Sequence, residues 1–297
     1  MQTARPFDYG TLTDVMTRAC KRLGIDDNES QMARLGENAI YLFPGAGVML
    51  RIGRSVETSR KEVAVASWLQ ENGILGSVPA VEEQPLLVEG YPVTVWGLIQ
   101  DSRARPSGTD LGKVLRRLHA LPEPTTFELP QFELMPKVTK RLAAFEGRFP
   151  PRTLQSLADR QREVEGGFDP AETTLGWGPI HGDAHIGNLM WARDGSVHLI
   201  DYEDFCIGPR EWDLMPSAVG MLAGLSDPAE FQAMTEAYGY DVMDSPVFET
   251  LRAARELNMT TWLMQMKGHS ADVDQEIERR LSDLREHPLR RRSWKAF

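Results

Sequence analysis

The chain has 297 residues, 41% apolar and 26% charged, ordinary values for a soluble chain with room for one large domain or two small ones. Its formal charge of −10 argues against a nucleic-acid partner or an anionic membrane surface. Two cysteines, Cys20 and Cys206, are too few for a disulfide scaffold and lie in no ligand-spaced motif, and Met1–Gly10 shows no basic stretch leading into an apolar run. A soluble, cytoplasmic protein is expected, with nothing to specify an oligomeric state.

Apolar residues at helical spacing over Phe7–Leu23, ended by Gly24, predict an opening helix. Three strand-like runs follow, Met32–Leu35, Ile40–Phe43 and Val48–Ile52, parted by the turn formers Gly36-Glu37-Asn38 and Pro44-Gly45-Ala46-Gly47. Glu57–Asn72 returns to a helical period. Strands are then expected at Pro85–Val88 and Pro92–Ile99, joined at Glu89-Gly90. A polar connector over 101–108 marks a boundary near residue 101, beyond which helices are predicted at Leu111–Leu121, Val138–Phe149 and Leu154–Val164. A strand pair, Asn188–Trp191 and Val197–Ile200, precedes helices over Pro216–Leu225, Pro228–Tyr238, Pro246–Met266 and Ala271–Glu286. The tail Arg290-Arg291-Arg292-Ser293-Trp294-Lys295 reads as a solvated terminus.

Chemistry concentrates in Ile180-His181-Gly182-Asp183-Ala184-His185-Ile186-Gly187-Asn188 and, about a dozen residues on, Ile200-Asp201-Tyr202-Glu203-Asp204. Carboxylates and an amide set between apolar strands are costly unless a cation or a proton-accepting task compensates them. Phosphoryl transfer uses such a set: one carboxylate orients an attacking hydroxyl, while an amide oxygen and a second carboxylate hold Mg²⁺ on the nucleotide phosphates. Asp183, Asn188 and Asp201 fit these roles. A helix cap and a turn residue are the bland alternative for Asp183 and Asn188. His181 and His185 lack the further ligands of a metal site, and His181 reads as scaffold.

The pattern H-G-D-x-x-x-x-N followed by I-D-x-E-D resembles the catalytic and metal-binding loops of the aminoglycoside phosphotransferase and choline kinase-like family, relatives of the protein kinases. Gly208-Pro209-Arg210-Glu211-Trp212-Asp213-Leu214, and Leu111-Gly112 with Leu118-His119, are similar to further segments of that family, so the resemblance reaches from about residue 34 to about 265. It implies a two-lobed α+β fold of the protein-kinase type: an N-lobe over 1–100 with an antiparallel sheet and one internal helix, and a larger, mostly helical C-lobe over 101–297. It also implies ATP or GTP as co-substrate with Mg²⁺. Asp183 would be the catalytic base, and Asn188 and Asp201 the metal ligands. Gly36, Glu37 and Asn38 would lie in the loop over the phosphates, and Glu62 on the internal helix. Trp96-Gly97-Leu98-Ile99 would form the hinge against adenine, although Trp96 fits plain core equally well.

The family usually has a lysine on the third strand, and this chain has Arg51. Arginine keeps the charge and can fork onto phosphate, but it is not interchangeable with lysine. Between Asp201 and Glu286 stand eighteen acidic and seven basic residues. Because the family's acceptor lies against these helices, the resemblance implies a small, cationic, hydroxylated acceptor such as an aminoglycoside or other antibiotic, with Glu203, Asp204 and Asp213 as its candidate contacts. A nucleotide-binding regulator with little turnover, and a kinase of an endogenous amino alcohol or sugar, are the alternatives.

Overall fold

The computed structural model describes residues 7–286 and 292–297; the rest of the Met1–Gly10 segment, together with Arg290 and Arg291 of the basic tail, lies outside the described residues. The chain divides into two compact units. One runs to Pro106 and takes in Pro124–Leu129 and Gly187–Phe205, while the other comprises Ser107–Glu123, Pro130–Ile186 and the chain from Cys206 onward. The first unit therefore reclaims residues 187–205, which a single boundary near 101 had assigned to the C-lobe.

In the first unit, α1 (Tyr9–Leu23) starts where Asp8 caps the Thr11 N–H and stops at Gly24, whose φ of +69° suits glycine. Leu12, Val15, Met16, Ala19 and Cys20 make its buried stripe. β1 (Gln31–Leu35), β2 (Ala39–Phe43) and β3 (Val48–Ile52) form the expected meander; α2 (Val56–Glu71) follows, then β4 (Leu86–Val88) and β5 (Tyr91–Gly97). The antiparallel sheet is ordered β1-β2-β3-β5-β4. Glu89 and Gly90 both have positive φ, the geometry of a tight hairpin turn.

The second unit opens with α3 (Gly108–Leu118), α4 (Pro136–Ala144) and α5 (Pro151–Gly166). It also holds β6 (Trp177–Ile180), which pairs with β9 (Cys206–Pro209) beyond the first unit's short hairpin of β7 (Leu189–Trp191) and β8 (Val197–Leu199). Neither β6 nor β9 is among the strands expected from the sequence. Helices α6 (Glu211–Leu222), α7 (Pro228–Tyr238), α8 (Phe248–Met264) and α9 (Ala271–Glu286) complete it. Helix α6 begins five residues before the expected Pro216, which lies inside it. No helix among the described residues is long and apolar enough to cross a membrane.

Two local features set the packing of this unit. Helices α3 and α7 approach so closely that a Cβ on Gly112 would stand 2.4 Å from the Met234 carbonyl oxygen. The tail is only partly solvated where it is described: Ser293 and Lys295 are exposed but Arg292 and Trp294 are buried, and the Arg292 guanidinium meets the Glu256 carboxylate at 3.0 Å while Arg252 meets the same carboxylate at 3.0 Å. A buried carboxylate of this kind cannot stay charged alone.

Arg292→Ala is therefore expected to cost roughly 3 kcal/mol in urea unfolding, the lower end for breaking a buried pair because Arg252 remains. A loss indistinguishable from that of an exposed tail residue would return Arg292 to solvent.

Candidate active site

Residues singled out in the sequence line one cleft of the first unit. Asn38, Arg51, Glu62, Trp96, Gly97, Leu98, Ile99, Asn188 and Asp201, together with Glu37 and Glu203, surround a cavity of about 430 Å³. They come from β2's approach, β3, α2, the end of β5 and the β7–β8 hairpin, so sheet order rather than sequence proximity assembles them. Trp96 is buried, donates its indole N–H to Thr94 at 2.8 Å, and still forms part of the cleft wall.

Arg51 is the centre of charge. Its Nη1 meets Glu62 Oε1 at 2.5 Å, and its Nη2 meets Glu203 Oε2 at 3.2 Å and lies 3.9 Å from Asp201 Oδ1. With its amide oxygen turned to the guanidinium, Asn38 accepts from Arg51 Nη2 at 2.6 Å. Glu203, expected against the acceptor, is thus committed to Arg51. Lys61, one residue before Glu62 on α2, donates to the backbone carbonyls of Glu203 at 2.6 Å and Phe205 at 3.1 Å and fastens the segment that carries Asp201. Asp201 itself has φ +68°, a strained value for a residue with a Cβ.

One guanidinium thus meets the Glu62 and Glu203 carboxylates and lies 3.9 Å from that of Asp201. Hard oxygen donors suit a divalent cation such as Mg²⁺, which takes one or two carboxylates and completes its shell with water and phosphate. The Asn188 amide and the Asp201 carboxylate line this cleft and fit that ion. Among the described residues no cluster of three acidic, histidine or cysteine side chains offers an all-protein cage.

In the second unit Asp183 follows β6 in a loop strapped to α6. Asp213, expected at the acceptor, is instead fully buried, and its two oxygens accept from the backbone N–H groups of His181 at 2.7 Å and Gly182 at 2.8 Å. His119 Nε2 stands 3.1 Å from the same carboxylate, and its Nδ1 2.8 Å from the Tyr238 hydroxyl. Trp212 donates to the Gly182 carbonyl at 2.8 Å, and Glu211 accepts from the Thr174 and Leu175 N–H groups. The motif after the second aspartate is thus a buried brace for the loop. His181 is fully buried, with Nδ1 accepting from the Asp183 N–H at 3.3 Å, a scaffold position.

Asp183 meets Arg255 of α8, Nη2 to Oδ1, at 2.5 Å, and lies 3.6 Å from His185 Nε2. Burial pushes its carboxyl up, but the His185 contact and the Arg255 charge outweigh it and hold Asp183 well below the usual carboxylate range. It is therefore ionised near neutral pH. Arg255 and Lys61 belong to no motif, while His119 lies in the Leu118-His119 segment that carries the family resemblance, without a role assigned to it there. Asp204, the third expected acceptor contact, is half-buried.

Glu62 is the pH-sensitive member of the cleft: burial pushes its carboxyl up to about 7 against the pull of Arg51. The folded chain then holds this proton more tightly than the unfolded one, so Glu62 by itself lowers stability as pH rises from about 4.5 through about 7. Below that range Arg51 loses one of its carboxylates. Nucleotide affinity is expected to change with a midpoint near 7 in the native protein and to be flat across that range in Glu62→Gln, as read by calorimetric titration. An unchanged pH profile in the variant would remove Glu62 from the titration.

Residues 46–257 match the phosphotransferase enzyme family, more than two thirds of the chain. Among curated proteins, stress response kinase A of Salmonella paratyphi A and the serine/threonine protein kinase RdoA of Salmonella typhimurium are each 32% identical over 96 residues, 31% of this chain and 28% of theirs. The chain thus matches less than a third of the length of these relatives. Among solved structures, a spectinomycin phosphotransferase in complex with ADP and spectinomycin superposes with a TM-score of 0.63 at 17% identity, covering 96% of both chains. A choline/ethanolamine kinase family protein from Mesorhizobium loti gives 0.62 at 17% identity, covering 90% of this chain and 92% of that one. A choline kinase from Streptococcus pneumoniae gives 0.58 at 16%, covering 92% and 99%. These likenesses show a kinase-like fold, mixed α and β, and the match over residues 46–257 places the chain in the phosphotransferase enzyme family.

Proposed function

We propose that this protein is a kinase of a small hydroxylated molecule, transferring the γ-phosphoryl group of ATP or GTP in the presence of Mg²⁺. The observation that carries the reading is the convergence of Asn38, Arg51, Glu62, Trp96–Ile99, Asn188 and Asp201 on one cleft, with carboxylates grouped around Arg51. In this reading, the hinge meets adenine through a backbone donor of its turn. The Gly97 and Leu98 N–H groups donate to the Val78 and Gly47 carbonyls, and that of Ile99 has no acceptor among the described residues. Arg51, fixed by Glu62, compensates phosphate charge, and a bound Mg²⁺ on Asn188 and Asp201 supplies electrostatic stabilisation of the transferring group.

Asp183 orients the acceptor hydroxyl and takes its proton as the phosphoryl group leaves the nucleotide. Its depressed proton affinity suits orientation more than strong base catalysis, in keeping with a loose transition state that asks little of the base. No covalent enzyme intermediate is needed. Presence of all three of Asp183, Asn188 and Asp201 favours turnover over a purely regulatory role.

The test is nucleotide consumption by the purified protein with Mg²⁺, ATP and GTP in parallel over hydroxylated compounds, with mass spectrometry for an added phosphate. Asp183→Ala is expected to lower turnover by at least about a hundredfold while nucleotide still binds. Asp201→Ala is expected to abolish the Mg²⁺ dependence of nucleotide binding. Near-normal turnover in the first, or unaltered metal dependence in the second, would move the corresponding role elsewhere.

A further inference from the structure

The carboxylates that recommended a cationic acceptor are largely spoken for. Asp213 is buried under the catalytic loop, Glu203 is bound to Arg51, and on α8 Glu256 is buried between Arg252 and Arg292 while Glu249 lies 3.6 Å from Arg252. What meets Asp183 is positive: Arg255 on one oxygen, His185 near the other. With Arg255 charged, this small cluster is neutral, and it becomes positive whenever His185 is protonated.

Helix α8 extends the same character. From Leu251 to Met264 the residues not buried are Arg255, Asn258, Met259 and Trp262, spaced i, i+3, i+4 and i+7, a single face about 10 Å long. Its first member touches Asp183, and its last, Trp262, is exposed. Alongside, Arg141 of α4 donates to the Asn258 side chain at 2.6 Å. The face carries no carboxylate. Arg255 is also incompletely satisfied, since its buried Nε–H has no hydrogen-bond partner among the described residues and its guanidinium lies 5.9 Å from the Trp212 ring centroid.

We propose that Arg255 is the specificity-determining residue of the acceptor site, and that the acceptor bears an anionic group, carboxylate or phosphate, near the hydroxyl that Asp183 receives. This rests on the kinase reading of Asp183 and narrows its substrate class. Arg255 can keep one N–H on Asp183 and turn another onto the acceptor's anion, because a guanidinium presents five donors in a fixed fork. Met259 and Trp262 then offer an apolar wall to the remainder of the molecule. An ammonium group in the same place would face the guanidinium and, when charged, His185, an arrangement that like-charge repulsion disfavours.

The experiment uses matched sets of alcohols that differ in charge: glycerate, glycerol and 2-amino-1,3-propanediol, and 4-(hydroxymethyl)benzoate, 1,4-benzenedimethanol and 4-(aminomethyl)benzyl alcohol. Binding to the Mg²⁺–nucleotide-loaded protein is followed by ligand-observed NMR, and phosphorylation by ³¹P NMR. The anionic member is expected to bind at least about tenfold more tightly than its partners, the range of one charge-assisted hydrogen bond. Arg255→Gln should erase that preference, raising KM for the anion more than it lowers kcat, and Arg255→Lys should restore part of it. Nucleotide affinity and thermal midpoint serve as checks that the variants fold. Preference for the ammonium member, no preference within either set, or a preference that survives Arg255→Gln overturns the proposal. Failure of the native protein to bind nucleotide with Mg²⁺ would instead overturn the kinase reading.

Discussion

A carboxylate removed from water must be given donors, and the Asp213 side chain shows how far the loop that carries Asp183 depends on that rule. It sits at the start of α6 with no exposure, and two of its donors are consecutive backbone N–H groups of the loop that ends in Asp183. Burial makes the arrangement exacting: removing either the loop geometry or the carboxylate would leave the other side with unpaired polar groups, at about 1 to 3 kcal/mol for each neutral donor and more for the charge. His119 from α3 and Tyr238 from α7 extend the same network, so the helices that Gly112 allows to approach closely are tied to the loop by hydrogen bonds as well as by packing. Asp183 is held in place through this chain of contacts rather than by a local turn preference.

In the cleft of the first unit the donor to the carboxylates is a side chain: Arg51 meets Glu62 and Glu203 and lies 3.9 Å from Asp201. Arginine does here what lysine could not do as well, since its planar fork reaches Glu62 with one nitrogen and Glu203 with another. Burial raises the proton affinity of Glu62, and the neighbouring Glu203 and Asp201 carboxylates add to it against the pull of Arg51.

Much of this was legible in the chain. Helix α7 and helix α9 have the expected bounds, and the meander β1–β3 departs by a residue at most, because turn formers and apolar spacing agree there. The strands β6 and β9 were not legible, since Gly178-Pro179 and Gly208-Pro209 lower strand propensity and only their mutual pairing makes them strands. Pro216 misled in the other direction: proline marks a helix start by local preference, but Glu211 accepting two loop N–H groups and Asp213 accepting two more anchor an earlier turn. The site residues with motif spacing fell together in the cleft, while Lys61, His119 and Arg255 act across gaps of 72 to 142 residues that no window of sequence spans.

Arg255 also shows why regional charge is a poor guide to what a site binds. The stretch after Asp201 is strongly acidic, yet its acids are distributed by the fold into buried pairs, backbone acceptors and exposed helix faces such as that of Asp272 and Glu278. Fields from exposed charges fade over about 8 to 10 Å of salt solution, whereas a guanidinium in contact with Asp183 is screened far less. The groups that bear directly on Asp183 include the basic side chains Arg255 and His185, so the regional count of carboxylates does not describe its surroundings.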